Sequence, residues 1–176
     1  INSITPNTCV AVWSAALTHS LSVTYLRGFH LANFMGTYTH AVDHKGRVNV
    51  PTKFRKHIAT DLDESLIVTR GVDDCLTAYP YDDWERVRNG LEALPKTQKN
   101  VRIYVRELLS KATAVSIDRQ GRIALPKVLL DFAGIGTEIL MLGNLGHFEL
   151  WDPATYEQSL DDESQTFEEI AESIMK

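Results

Sequence analysis

The sequence predicts an α+β, β-rich fold made of two tandem copies of one small module, with connecting and C-terminal helices. Three observations lead to it. A pattern Asp-x-x-Gly-Arg, followed by a short apolar run and a proline, occurs at Asp43 and again at Asp118. Around both, apolar residues alternate with period two, the signature of half-buried strands. Helical spacing appears only between the copies and after the second.

The repeat sets the order of the elements. Thr39-His-Ala-Val-Asp43-His-Lys-Gly46-Arg47-Val-Asn-Val-Pro51 aligns with Ala114-Val-Ser-Ile-Asp118-Arg-Gln-Gly121-Arg122-Ile-Ala-Leu-Pro126. In each copy a strand enters a tight Gly-containing turn and a second strand leaves it. Val48 and Val50 point one way and Arg47 and Asn49 the other; Ile123 and Leu125 oppose Arg122 and Ala124 in the same manner. Pro51 and Pro126 end these strands and suit the first turn of a helix, so short helices are expected over Thr52–Ile58 and Lys127–Phe132. Two further strands per copy follow, near Leu66–Thr69 with Leu76–Tyr79, and Ile139–Leu142 with Phe148–Trp151. Tyr79 and Trp84 fall against Trp151 and Tyr156, the same aromatic spacing in both copies. Between the copies Trp84, Val87, Leu91 and Leu94 mark a helix entered through Asp82 and Asp83. Pro95–Asn100 interrupts it, and Val101, Val105, Leu108 and Leu109 mark a second that ends before Thr113. Pro153–Leu160 and Phe167–Met175 are the helix candidates after the second copy. The expected organisation is therefore an extension over 1–33 outside the fold, a first module over 34–81, a helical connector over 82–112, a second module over 113–157 and an acidic tail over 158–176.

Apolar residues make up 44% of the 176-residue chain and charged residues 23%, enough for a buried core and too apolar for global disorder. The first 33 residues carry one charge, Arg27; their apolar run Val10–Leu17 is too short and broken for a membrane span and lacks the basic start of a secretory signal. Cys9 and Cys75 match no metal-ligand or disulfide pattern, and the expected compartment is a reducing cytoplasm. The net charge is -5, but it is unevenly spread. Lys45, Arg47, Lys53, Arg55 and Lys56 fall in one segment without an acid, whereas Glu149 to Glu172 holds nine acids and no base. The basic segment can face a phosphate backbone even though the tail sets the global sign.

The turn carries the chemistry. Gly46 and Gly121 suit a positive φ, and the Asp43 and Asp118 carboxylates suit backbone N–H groups across the turn. These four are read as turn-structural residues. Arg47 and Arg122 then stand on the outward face of a hairpin, with Lys45, Arg119 and Lys53 beside them. Two uses of those arginines remain open: each pairs with its own Asp and staples the turn, or each contacts DNA phosphates or guanine edges in a major groove that admits a two-stranded ribbon. Paired copies favour the second, because repeated half-sites call for paired presentation.

The run Phe34-Met-Gly36-Thr-Tyr-Thr-His-Ala-Val-Asp43-His-Lys-Gly-Arg47-Val-Asn-Val-Pro51-Thr-Lys-Phe-Arg55 resembles the opening of the MraZ family. Arg70-Gly71, Cys75-Leu76-Thr-Ala-Tyr79-Pro80, Trp84-Glu85, the second turn and Phe148-Glu-Leu-Trp151 continue the resemblance, which extends to Tyr156. The two turns with the aromatic positions carry it; a single turn is shared across the wider AbrB-like superfamily. The resemblance implies two tandem swapped-hairpin AbrB-like modules forming a pseudo-dimer, assembled as a homo-oligomeric ring. It implies a cytoplasmic, nucleoid-associated regulator that binds direct repeats in double-stranded promoter DNA, upstream of the division and cell-wall gene cluster, usually to repress it. In that family the Arg of each turn faces DNA, which here means Arg47 and Arg122. The second copy carries Gln120 where the first carries Lys45, and its following helix is less basic, so the first copy is expected to contribute more. The extension before Phe34 departs from the family pattern.

Other residues point elsewhere only weakly. His40, His44 and His57 do not match a metal site, and no metal or other cofactor is expected. Trp84 and Trp151 read as packing residues rather than base-stacking platforms. Asp43 and Asp118 as a catalytic pair would lack an accompanying nucleophile or phosphate loop, so an enzyme is not expected. The competing reading is an antitoxin-like or scaffolding module without DNA, whose acidic tail holds a basic protein.

Overall fold

The computed structural model describes residues 33–58, 65–161 and 165–175, so the expectation placed on residues 1–33 lies outside them except at its last position. In the first copy, β1 (Thr37–Ala41) leads through the turn to β2 (Arg47–Asn49), a short helix α1 (Thr52–Arg55), and the pair β3 (Ser65–Arg70) and β4 (Leu76–Pro80). The connector is α2 (Tyr81–Ala93) and α3 (Lys99–Lys111). The second copy repeats the order as β5 (Thr113–Ser116), β6 (Arg122–Ala124), α4 (Lys127–Phe132), β7 (Glu138–Asn144) and β8 (His147–Trp151), followed by α5 (Pro153–Asp161) and α6 (Phe167–Ile174).

The copies exchange strands. One six-stranded antiparallel sheet runs β1-β7-β8-β4-β3-β5, and β2 pairs with β6 in a separate ribbon. The first strand of each copy therefore pairs with the other copy's second half: β1 with β7, and β5 with β3. Neither copy owns a complete sheet, and the chain is a swapped-hairpin pseudo-dimer of the AbrB-like kind. The register fixes its pseudo-two-fold axis. Val48 faces Ile123 in the ribbon, and Thr77 faces Glu149 where β4 meets β8. Each pair joins corresponding positions of the repeat, so the axis passes through both.

The alternation read from the sequence explains this arrangement. Val48, Val50, Ile123 and Leu125 are buried, while Asn49 and Ala124 are exposed and Arg47 and Arg122 half-exposed on the opposite face. The inner face joins Leu66, Val68, Ile139 and Met141 in one core drawn from both copies. Three rings fill its centre: Phe34, Phe54 and Phe148 lie with centroids 5.1–5.2 Å apart. Burying each such side chain contributes about 1.5–3 kcal/mol. Phe54 anchors α1 to that core.

The helices after the second copy differ from expectation by one residue at their C-terminal ends, Asp161 and Ile174, and two others differ by more. The first stops at Arg55 rather than Ile58, because His57 and Ile58 donate to Phe54 and Arg55 (2.9 and 3.3 Å), bonds of three-residue span that tighten the chain and turn Ile58 inward. The third begins at Lys99, inside the expected break. It is tied to β3 by Thr69 Oγ1, which donates to the Leu108 carbonyl at 2.6 Å. Leu108, Leu91 and Trp84 form a second apolar cluster with Ile67. Among the described residues no helix is long and apolar enough to cross a membrane.

Candidate nucleic-acid interface

The two Asp-x-x-Gly-Arg turns are built alike. Asp43 N donates to the Arg47 carbonyl (3.0 Å) and Gly46 N to the Asp43 carbonyl (2.9 Å); in the second copy the same bonds measure 2.7 and 2.8 Å. Gly46 has φ +71° and Gly121 φ +81°, the left-handed region that glycine occupies without steric cost. Each turn also serves the other copy: Val50 N donates to the Gly121 carbonyl and Leu125 N to the Gly46 carbonyl, both at 2.9 Å.

The carboxylates divide their oxygens. Asp43 Oδ1 accepts from the backbone of Lys45 (2.8 Å) and Arg47 (3.0 Å), and Oδ2 from Arg47 Nε and Nη2, both at 2.7 Å. Asp118 Oδ1 accepts from Gln120 and Arg122 N, both at 2.9 Å, and Oδ2 from Arg122 Nε (2.9 Å) and Nη2 (2.7 Å). The position held by Lys45 and Gln120 is thus used through its backbone, which leaves its side chain free to differ. The Arg47 backbone N–H, with its guanidinium and the Lys45 N–H, holds the Asp43 carboxyl down at about 2 against the opposing pull of burial. Asp118 is lowered as well, foremost by the Arg122 side chain. Both arginines therefore staple their own turns. The staple uses the Nε–Nη2 edge of each guanidinium and leaves Nη1 out of it, and the side chains stay 32% and 26% exposed. Arg47 faces Ala124 and Arg122 faces Asn49 across the ribbon, a diagonal placement on one face, for which Cβ spacing is about 7–8 Å.

Strand exchange redistributes the remaining charge. The first copy's basic helix α1 lies beside the second copy's turn. Arg55 reaches over Gly121, where an added Cβ would come within 2.7 Å of its guanidinium carbon. The group is held there by Nε to the Val50 carbonyl (3.2 Å) and Nη2 to Thr52 Oγ1 (2.9 Å). Arg55, Lys56, Thr52 and Ile58 of the first copy and Ile117, Asp118 and Arg119 of the second line a cleft of about 430 Å³. At the corresponding place over Gly46 stands Leu130, whose Cδ1 would lie 3.2 Å from an added Cβ. Of the sequence-flagged residues, Arg119 and Asp118 line this cleft, Lys45 and Arg47 sit at the other turn, and Lys53 is exposed on α1 outside it. Arg55 and Lys56 were passed over as site residues. The signal was the repeat register, which sets Arg55 against Leu130.

Other flagged residues resolve into packing. Trp84 and Trp151 are buried, against Tyr79 (5.7 Å between centroids) and Tyr156 (5.5 Å), so the repeated aromatic pair is a packing unit. His57 packs edge-on to Phe34 at 5.9 Å. Among the described residues no three His, Cys, Asp or Glu side chains group as a metal site. A larger cavity of about 660 Å³ lies between α3 and the β4–β8 strands, lined by none of the flagged basic residues. Burial pushes the Cys75 thiol there up to about 12, which keeps it a protonated packing group.

Fold and turns together define an AbrB-like protein, two swapped modules whose shared ribbon carries Arg47 and Arg122 on one face. More narrowly, the chain belongs to the MraZ family: the model described as "MraZ protein, putative antitoxin-like" matches it twice, over residues 33–107 and 108–176.

Proposed function

We propose that this protein is a sequence-specific transcriptional regulator that binds double-stranded promoter DNA through its paired turns. Its target on this reading is the division and cell-wall gene cluster, and its usual effect repression. The observation that carries the reading is the placement of Arg47 and Arg122 on one outward face of the β2–β6 ribbon, related by the pseudo-two-fold axis. A two-stranded ribbon fits the major groove, and a guanidinium there reaches guanine O6 and N7 or flanking phosphates. One module pair grips weakly. Several on a homo-oligomeric ring engage spaced direct repeats, and effective concentration then supplies affinity. Work of this kind places the protein in the cytoplasm at the nucleoid. The test is binding to a duplex of the gene's own upstream region: Arg47→Ala is expected to cost about 1–3 kcal/mol per module contact, with steep loss of affinity as salt rises.

One observation favours a second, antitoxin-like reading. Helix α6 and its C-cap leave Phe167, Ile174 and Met175 exposed beside Glu168, Glu169 and Glu172, a face suited to a basic protein partner. Deleting residues 158–176 abolishes such a partner and leaves DNA binding intact; loss of DNA binding on that deletion would count against both assignments.

A further inference from the structure

We infer that the cleft between α1 of the first copy and the turn of the second is a seat for one phosphate group, and that the first copy's own turn has no equivalent. The inference rests on the DNA-binding reading for the identity of the ligand, a backbone phosphodiester, but its chemistry stands on the cleft itself.

Three features build the seat. Arg55 is preorganised: two of its nitrogens are held by Val50 and Thr52, and its guanidinium lies close against a residue with no side chain. A guanidinium fixed in this way gives up little rotamer freedom on meeting an anion. Lys56 and Arg119 add two more cations from opposite walls, and among the described residues neither side chain has a carboxylate partner. Among the described residues the one acid lining the cleft, Asp118, is already spent on Arg122 and two backbone N–H groups. Three cations thus face a space of about 430 Å³ in which no described carboxylate is left unpaired. The pseudo-symmetric position is different in kind. Leu130 closes over Gly46 and is buried, and Lys127 of the same helix is paired with Asp131 at 2.8 Å. The strand exchange thus moves the first copy's basic helix to the second copy's turn, and the two turns grip an anion unequally, the second more firmly.

The test uses the full chain with Arg55→Leu, which installs the residue of the pseudo-equivalent position. Arg119→Ala is an exposed change that does not disturb the core, and Lys96→Ala removes the same charge from the connector. Binding to a duplex of the upstream region is measured across a range of salt. Loss of one phosphate contact flattens the slope of log K against log salt by about 0.9 and weakens binding about tenfold near 0.1 M salt. That result in Arg55→Leu and Arg119→Ala, with Lys96→Ala near wild type, supports the seat. Wild-type binding with all three variants alike overturns it and leaves the regulator reading standing. If the wild type binds no duplex, that reading fails, and inorganic pyrophosphate followed by the Arg55 and Arg119 side-chain resonances decides the seat alone. Saturation lost in Arg55→Leu and Arg119→Ala retains a phosphate seat with a soluble source; no saturation in the wild type removes it.

Discussion

The guanidinium of Arg55 lies over Gly121, so a side chain of one copy closes the turn of the other. At Gly46 the nearest obstacle to a side chain is instead the Leu125 carbonyl, 2.7 Å from an added Cβ. The two glycines therefore differ in what a substitution meets. Both sit at positive φ, which costs an alanine about 1–2 kcal/mol. Gly121→Ala is expected to lose roughly that much and the two hydrogen bonds that hold Arg55, because the end of a side chain can move aside once those bonds are given up. Gly46→Ala is expected to lose more, because the Leu125 carbonyl is backbone, and shifting Leu125 strains the bond its N–H donates to the Gly46 carbonyl. Urea unfolding of both variants checks the order; equal losses would show that φ alone decides.

The lowered carboxyls make the turns sensitive to acid. A carboxylate whose folded pKa lies below its unfolded value, near 3.9, contributes stability above that value and loses it as pH falls through the folded one. For Asp43 the window runs from about pH 4 down to about 2, and Asp118 shifts in the same direction. The stability gap between wild type and Asp43→Asn should be full at pH 6 and shrink across that window. A gap unchanged at pH 2 would mean that the ionised carboxylate is not what holds the turn.

Phe54 joins α1 to the core through rings of both copies. Phe54→Ala removes a fully buried ring and is expected to cost about 3–5 kcal/mol. Because that ring is the only buried residue of α1, the same change should free the helix. Hydrogen exchange reads this directly: Arg55 N, bonded to the Pro51 carbonyl, should exchange faster than ribbon amides such as Val50 N.

Helix α6 is capped by Thr166 and Glu169 but buries no residue. Removing residues 158–176 should therefore change unfolding stability little, within about 0.5 kcal/mol. A large loss would place the tail in the folded core.

The sequence carried the repeat, the turns and the order of the elements because these are local: a glycine at positive φ, a carboxylate two and four residues from its donors, period-two burial. Val48 and Ile123, and the Tyr79–Trp84 and Trp151–Tyr156 pairs, were readable from register alone. The strand exchange came only from the family resemblance, since a hairpin that pairs with itself and one that pairs with its repeat have the same alternation. For that reason the destination of Arg55 was hidden. Its charge was visible in the run from Lys45 to Lys56, but nothing local to that run says that it reaches Gly121. The staple chemistry of Arg47 was visible as one of two alternatives, and the structure shows it satisfied in both copies.

The central claim is that Arg47 and Arg122 read DNA in addition to stapling their turns. The most direct measurement compares upstream-duplex binding by wild type, Arg47→Ala/Arg122→Ala and Asp43→Asn/Asp118→Asn, each first shown to be folded. Both double variants break the staple, but only the first removes the guanidinium. The account predicts that the arginine variant loses salt-sensitive binding and the asparagine variant keeps it, with equal or higher affinity. Equal loss in both would contradict it and reduce these arginines to turn staples.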